Sequence, residues 1–370
     1  MWRKLVARMR LDGFWPGRRK APLQSRPEPD SVFLTEAPFS PNPGNLSMFC
    51  YLPSGLRAGS PLVVVLHGCG QTASGYGTAA GWRELAKELG FAVLAPEQKA
   101  VNNPNNCFDW FNPEDISRGQ GECASIAAMI RTMVERDRLD GARVFITGLS
   151  AGGAMTAAML STYPELFAGG AIIAGLPFGV AQNVRDALEA MRSAPLRTPQ
   201  QWGDPVRAAS GHAGPWPRIS IWHGILDTTV NINNAQASLA QWADVHGLAL
   251  GAAKQDIADG ALRLSWGDRL EIYTIPALGH GTPIDSRDAG APAPFILDVG
   301  ISSSRRIAQF WGLAPRAVPV TAARFAHARL ATPSEQVLPQ IEAVLAPRQA
   351  AQPVAETLIR RALKAAGLYK

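Results

Sequence analysis

The chain has 370 residues, 46% hydrophobic and 18% charged, a balance that excludes intrinsic disorder for its bulk and supplies a sizeable core. Its net charge of +6 resides at the ends: residues 1–30 carry eight Lys/Arg against three Asp/Glu, and residues 322–370 seven against three, which leaves 31–321 with 21 against 24. That distribution argues against a nucleic-acid partner, which needs basicity on the folded body, and reads as solvated basic tails.

Residues 1–46 read as a basic, Pro-rich N-terminal extension, because stretches such as PGRRKAPLQSRPEPD and PFSPNPGN frustrate both helix and sheet. The catalytic-size domain is expected over 47–315, starting near Ser47. Within it, short apolar runs alternate with amphipathic stretches: MFCYLP, PLVVVLHG, a helix over 78–89, FAVLAPE, a helix over 120–137 and RVFITGLS. A helix over 151–162, GGAIIAG, RISIWHG, a helix over 233–246, LEIYTIPALGH and a last helix near 301–312 follow. The alternation predicts an α/β fold, a mostly parallel sheet with helices on both faces. Residues 176–217 break the rhythm with Pro, Gly, Trp and one weakly helical piece, VRDALEAMR, and read as a small cap-like insert over the site. Residues 316–370 read as an Ala/Pro-rich extension, in which VAETLIRRALKAAG sets Val354, Leu358, Ile359 and Leu363 on one helical face suited to docking.

No stretch reaches the ~18 uninterrupted apolar residues of a spanning helix, and the opening MWRKLVARMR lacks the apolar core of an export signal. The expectation is no transmembrane segment and no cleavable leader.

RVFITGLSAGGAMTAAML joins a β-rich run to a small-residue helical run, with Gly148-Leu149-Ser150-Ala151-Gly152 at the junction. About 0.2 such G-x-S-x-G pentamers arise by chance in this composition, so the strand-to-helix context carries the assignment of Ser150 as a nucleophile. A serine is unreactive at neutral pH without a base, and the base needs an orienting carboxylate. On a nucleophile elbow these partners follow as acid, then His, on loops after later strands. Asp227 in WHGILDTTV and His280 in PALGHGT occupy such places; Asp204 and Asp244 compete for the acid, and His223 reads as structural.

Ester cleavage also needs donors for the oxygen that becomes negative. The Ala151 N–H, next after the nucleophile, is one; the second falls in His67-Gly68-Cys69-Gly70, where Cys69 N–H is preferred over Gly68. The topology brings Cys69 and Cys107 to one side of the sheet, leaving open either a disulfide or two free thiols, while Cys50 and Cys123 read as packing cysteines. Trp110 on a Pro/Asn-rich loop is the substrate-wall candidate, with Trp202 and Trp216 as lesser ones and Trp222 assigned to the core.

The stretches LHGCGQTA, APEQ, CFDWFNPEDISRGQGE, GLSAGGAM, HGILDTTV and LGHG, spread over roughly residues 48–312, together resemble the polyhydroxybutyrate depolymerase-type esterases, which include feruloyl and acetylxylan esterases. The resemblance implies an α/β-hydrolase fold, a Ser150, Asp227, His280 triad, an oxyanion donor at Cys69 and a Cys69–Cys107 bridge, with Ile225 and Cys123 departing from the family pattern. It implies a serine esterase that cleaves poly- or oligo(3-hydroxybutyrate)-like esters without metal or cofactor, with a feruloyl or acetylxylan ester as the alternative. It also implies an extracellular enzyme, whereas the leader expectation points to the cytoplasm. The rival from another class is a non-catalytic polymer-granule binder anchored by its basic ends, and a peptidase is the rival among enzymes.

Overall fold

The structure is a computed structural model in which residues 35–315 are described. The 316–370 extension with its amphipathic helix, and residues 1–34 of the N-terminal one, lie outside the described residues.

The strands are β1 (Thr35–Glu36), β2 (Ser47–Tyr51), β3 (Leu62–Leu66), β4 (Ala92–Glu97), β5 (Val144–Leu149), β6 (Gly169–Ile173), β7 (Arg218–Gly224), β8 (Lys254–Ala258), β9 (Ala261–Trp266) and β10 (Leu270–Ile275). They form one sheet in the order β1-β2-β4-β3-β5-β6-β7-β10-β9-β8. From β4 to β10 neighbours run parallel, while β1–β2, β2–β4, β10–β9 and β9–β8 pair antiparallel. A strand covered on both faces can be apolar throughout, which is why LVVVL and VFITGL read as continuous runs. Successive side chains still divide between faces. Leu62, Val64, Leu66, Val144 and Ile146 enter one core cluster, and Val63, Val65, Phe145 and Leu149 the other.

Helices cover both clusters: α1 (Ala73–Ala79), α2 (Trp82–Leu89), α3 (Gly121–Arg136), α4 (Ala151–Thr162), α5 (Val184–Arg192), α6 (Pro199–Ser210), α7 (Asn233–Val245) and α8 (Ser303–Trp311). Met129 and Met133 of α3, Met155 of α4 and Trp242 of α7 fill the first; Trp82 and Leu85 of α2 and Phe310 and Trp311 of α8 fill the second. A two-stranded sheet, β11 (Thr282–Ile284) with β12 (Ile296–Asp298), follows the His280 loop.

The sheet starts before the expected Ser47 boundary. Thr35 and Glu36 pair with Cys50 and Phe49, and Leu46 is buried, so residues 35–46 belong to the folded body. The expected helix over 78–89 is two helices, α1 and α2, broken at Gly81, which takes φ +83° against Ala289 and Gly290. The insert holds two helices where one was expected. Its α6 packs on α7 and α4, with Trp202 buried under the Arg197 guanidinium, 4.5 Å from the ring centre. The β8–β9 hairpin, turning at Asp259-Gly260, was not anticipated.

Candidate active site

Central strand β5 delivers Ser150 to the carboxyl edge of the sheet, where the chain turns at once into α4. Ser150 sits at φ 57°, ψ −116°, a conformation L-residues avoid, and its own N–H is fixed by Ile173 O of β6 at 2.9 Å. The flanking glycines are there for space. A Cβ on Gly148 would strike Gly152 O and Leu66, and one on Gly152 would strike the carbonyl oxygens of Leu66 and His67. The loop after β3 therefore lies directly against the elbow.

His280 follows β10 and Asp227 follows β7, both at the same edge. His280 Nε2 is 2.9 Å from Ser150 Oγ and Nδ1 is 2.7 Å from Asp227 Oδ2. The structure thus brings together the three side chains singled out from sequence, in a continuous hydrogen-bonded series. Asp204 and Asp244 stand elsewhere, sharing Arg207. Asp227 Oδ1 accepts the Thr229 and Val230 N–H groups at 2.9 and 2.8 Å, while Oδ2 also faces His223 Nε2 at 3.3 Å. Burial disfavours its charge, but the donors from His223 and His280 outweigh burial and hold the carboxyl well below the usual carboxylate range. An ionised carboxylate beside Nδ1 keeps the proton on Nδ1, leaving Nε2 free to accept from the serine.

His223, expected to be merely structural, is the residue sequence reasoning undervalued. It ends β7 four positions before Asp227, and its Nε2 reaches Val230 O at 2.8 Å as well as the carboxylate. The i, i+4 spacing around the turn was the available signal.

Of the expected oxyanion donors, the Ala151 N–H is the first of α4 and has no acceptor within its helix. Gly68 N–H donates to Gln71 Oε1 at 2.9 Å and Gly70 N–H to Asn105 O at 2.7 Å, whereas Cys69 N–H meets no acceptor among the described residues. Of the two expected donors, Gly68 is already engaged and Cys69 remains available. Cys69 and Cys107 are joined in a disulfide, and Cys50 and Cys123 are buried.

Trp110 departs from expectation: 8% exposed, set edge-on against Phe111 and part of the larger core cluster, it offers a substrate little surface. Trp202 and Trp222 are buried as well, the latter stacked on Tyr273, and Trp216 is half-buried against Trp242. The apolar side chains exposed beside Asp227 are Ile225 and Leu226, at 42% and 61%, and Phe295 stands edge-on to His280 at 5.9 Å.

The carboxylates of Asp109, Asp115 and Glu122 have oxygens within 4.8 Å of one another. Their oxygens are engaged internally, Asp109 by Asn103, Asp115 by Asn112 and Glu122 N–H, and Glu122 by Gln98 and Asp109 N–H. Burial pushes Asp109 up to about 6, and burial with the charges of Asp109 and Asp115 raises Glu122 well above its ordinary value. Among the described residues no helix is long and apolar enough to cross a membrane.

Residues 46–259 match the family described as Esterase PHB depolymerase, a segment that includes Ser150 and Asp227 and ends before His280. The chain is 44% identical over 285 residues to poly(3-hydroxyalkanoate) depolymerase C of Paucimonas lemoignei, covering 74% of this chain and 69% of that one. It is 34% identical over 255 residues to an acetylxylan esterase of Coprinopsis cinerea, covering 66% and 68%. Among solved structures, the acetyl xylan esterase from Aspergillus awamori superposes with a TM-score of 0.67 at 28% identity, covering 76% of this chain and 99% of that one, an α/β-hydrolase relative. These relatives are hydrolases, which leaves the non-catalytic granule-binder reading without support. An α/β sheet whose central strand feeds a serine elbow, together with a 214-residue family match from 46 to 259, leads to one conclusion: the chain belongs to the esterase PHB depolymerase family and is a carboxylic-ester hydrolase.

Proposed function

We propose that this esterase cleaves poly- or oligo(3-hydroxybutyrate)-like esters through an acyl-enzyme on Ser150. The observation that carries the reading is the Ser150–His280–Asp227 series, 2.9 and 2.7 Å across its two links. Ser150 Oγ bonds to the ester carbonyl carbon as His280 Nε2 takes its proton; the carbonyl oxygen becomes negative and is met by the Ala151 and Cys69 N–H groups. Collapse breaks the bond to the alkoxide, which takes the proton from His280 Nε2. Water, deprotonated by the same nitrogen, then attacks the acyl carbon; as the bond from that carbon to Ser150 Oγ breaks, Oγ takes the proton back from His280 Nε2 and the acid is released. Asp227 holds the imidazole tautomer and stabilises its transient positive charge.

The substrate class rests on the 44% identity to a depolymerase named for poly(3-hydroxyalkanoate) and on apolar side chains near the acid and base, the exposed Ile225 and Leu226 just before Asp227 in the chain and Phe295 against His280, which we read as an apolar rim. Aliphatic hydroxyacyl units fit such a rim, whereas a carbohydrate ester asks for polar partners around it. The test compares kcat/KM on amorphous poly(3-hydroxybutyrate), the soluble 3-hydroxybutyrate dimer, methyl ferulate, acetylated xylan and a peptide anilide. The hydroxybutyrate esters should lead; a higher value for ferulate or acetylated xylan overturns the substrate class, and a faster anilide overturns the choice of ester over amide. Polymer cleaved no faster than dimer would assign it to oligomers.

A further inference from the structure

The segment APEQ ends β4 at Glu97 and places Gln98 against His67, a residue with no part in the triad. His67 is fully buried, its ring 4.9 Å from that of Phe108. Its two nitrogens have fixed roles. Gln98 N–H donates to Nε2 at 3.1 Å, and since a backbone N–H cannot accept, Nε2 carries the lone pair. The proton is therefore on Nδ1, 2.8 Å from Gly68 O, and is donated there. Burial lowers the imidazole to about 4, which keeps it neutral and keeps this tautomer over the working range. Gln98 is itself held by Glu122, Cys107 O and Asn102.

Gly68 O and Cys69 N–H belong to one planar peptide unit. The only cis bonds among the described residues are Ser40–Pro41 and Gly214–Pro215, so this unit is trans and its C=O and N–H point in opposite directions. Whatever anchors the carbonyl therefore aims the N–H. The carbonyl is anchored twice, by His67 Nδ1 and by Gln71 N–H at 3.2 Å. On the other side of Gly68, the Gln71 side chain accepts its N–H and donates to Pro294 O at 3.0 Å.

We propose that His67 is a positioning residue for the oxyanion hole: by donating from Nδ1 to Gly68 O it fixes the Gly68–Cys69 peptide plane and aims Cys69 N–H at the developing negative oxygen. The proposal rests on the reading of Cys69 N–H as the second donor. It gives His67 a role that buried packing alone would not: its loss should appear in the transition state and not in substrate binding.

Two variants separate these roles, because an asparagine amide reaches roughly where Nδ1 stands and a glutamine amide where Nε2 stands. With kcat referred to folded protein, His67→Gln should lose about 30–100-fold in kcat on p-nitrophenyl butyrate, approaching the cost of an oxyanion donor, with KM within about threefold. His67→Asn should recover kcat to within about fivefold of wild type. The affinity of a boronic acid that forms a tetrahedral adduct should fall in step with kcat. Gln71→Met, at a half-buried side chain, supplies a second measurement should a His67 variant fail to fold: a loss of about fivefold confined to kcat. Equal kcat for the Gln and Asn variants, a loss confined to KM, or no change in kcat in either His67→Gln or Gln71→Met overturns the proposal. Ser150→Ala is the control: if it is inactive while His67→Gln is unimpaired, the positioning role alone fails, and if it is active, the reading of the site fails with it.

Discussion

His223 Nε2 stands 3.3 Å from Asp227 Oδ2, the same oxygen that accepts from His280 Nδ1 at 2.7 Å. The acid is therefore held between two imidazoles, one facing the serine and one facing the core. His223→Leu removes a donor that offsets the cost of burying Asp227, so its carboxyl rises toward the ordinary range and protonates sooner as pH falls. The proposed mechanism needs the ionised form. The expected loss in kcat is about tenfold at pH 8 and larger at about pH 4, where a carboxyl of ordinary acidity begins to protonate, read from pH profiles of the two proteins. An equal loss at both pH values would assign His223 to packing.

The Cys69–Cys107 bridge closes a 38-residue separation and joins the loop after β3, which carries the proposed oxyanion donor, to the segment leading to Glu122. Chain-entropy arithmetic gives such a closure about 4 kcal/mol. Replacing both cysteines by serine should lower unfolding free energy by up to about that amount in denaturant titrations, and should lower kcat as well, because the loop that presents Cys69 N–H loses a tie. Unchanged kcat in a destabilised protein would confine the bridge to stability.

Asp109 carries the opposite sign to Asp227. Burial raises its folded carboxyl from 3.8 to about 6, so the unfolded chain ionises first, and stability falls as pH rises from about 4 through about 6, with a constant penalty above. Asp109→Asn keeps an acceptor for Asn103 and removes the repulsion with Glu122 and Asp115. It should unfold at about 1–2 kcal/mol higher free energy than wild type at pH 8, allowing for partial exposure, and at nearly the same free energy at pH 4. Guanidinium melts at the two pH values check this.

The strands that form the sheet's parallel centre were legible because double-sided burial leaves them apolar end to end, as in Leu62–Leu66 and Val144–Leu149. The helix over 120–137 and the one over 151–162 fell within a residue of α3 and α4 for the same reason of strong local pattern. Helix α6 is hidden in the sequence, although Thr198 and Gln201 form a capping box and Pro199 occupies the first turn, because Gly203 and Pro205 inside it imitate a loop. Strand β1 leaves no sequence signal because two residues carry no period, and β8 leaves little because its Lys254–Ala258 is largely exposed. For the candidate site, the meeting of Ser150, Asp227 and His280 at one sheet edge is legible because each follows a strand that has its own signature. The burial of Trp110 and the contacts of His223 and His67 depend on where separate loops meet, which no local pattern encodes.

The central claim is that one serine hydroxyl is the nucleophile, and active-site labelling tests it most directly. Wild-type protein treated with a fluorophosphonate should gain one adduct per chain, located by peptide mapping at Ser150, with esterase activity lost in proportion to labelling. Ser150→Ala should take no label and turn over p-nitrophenyl butyrate at least about 10³-fold more slowly. An adduct on another residue, or a Ser150→Ala enzyme of wild-type rate, would contradict the account.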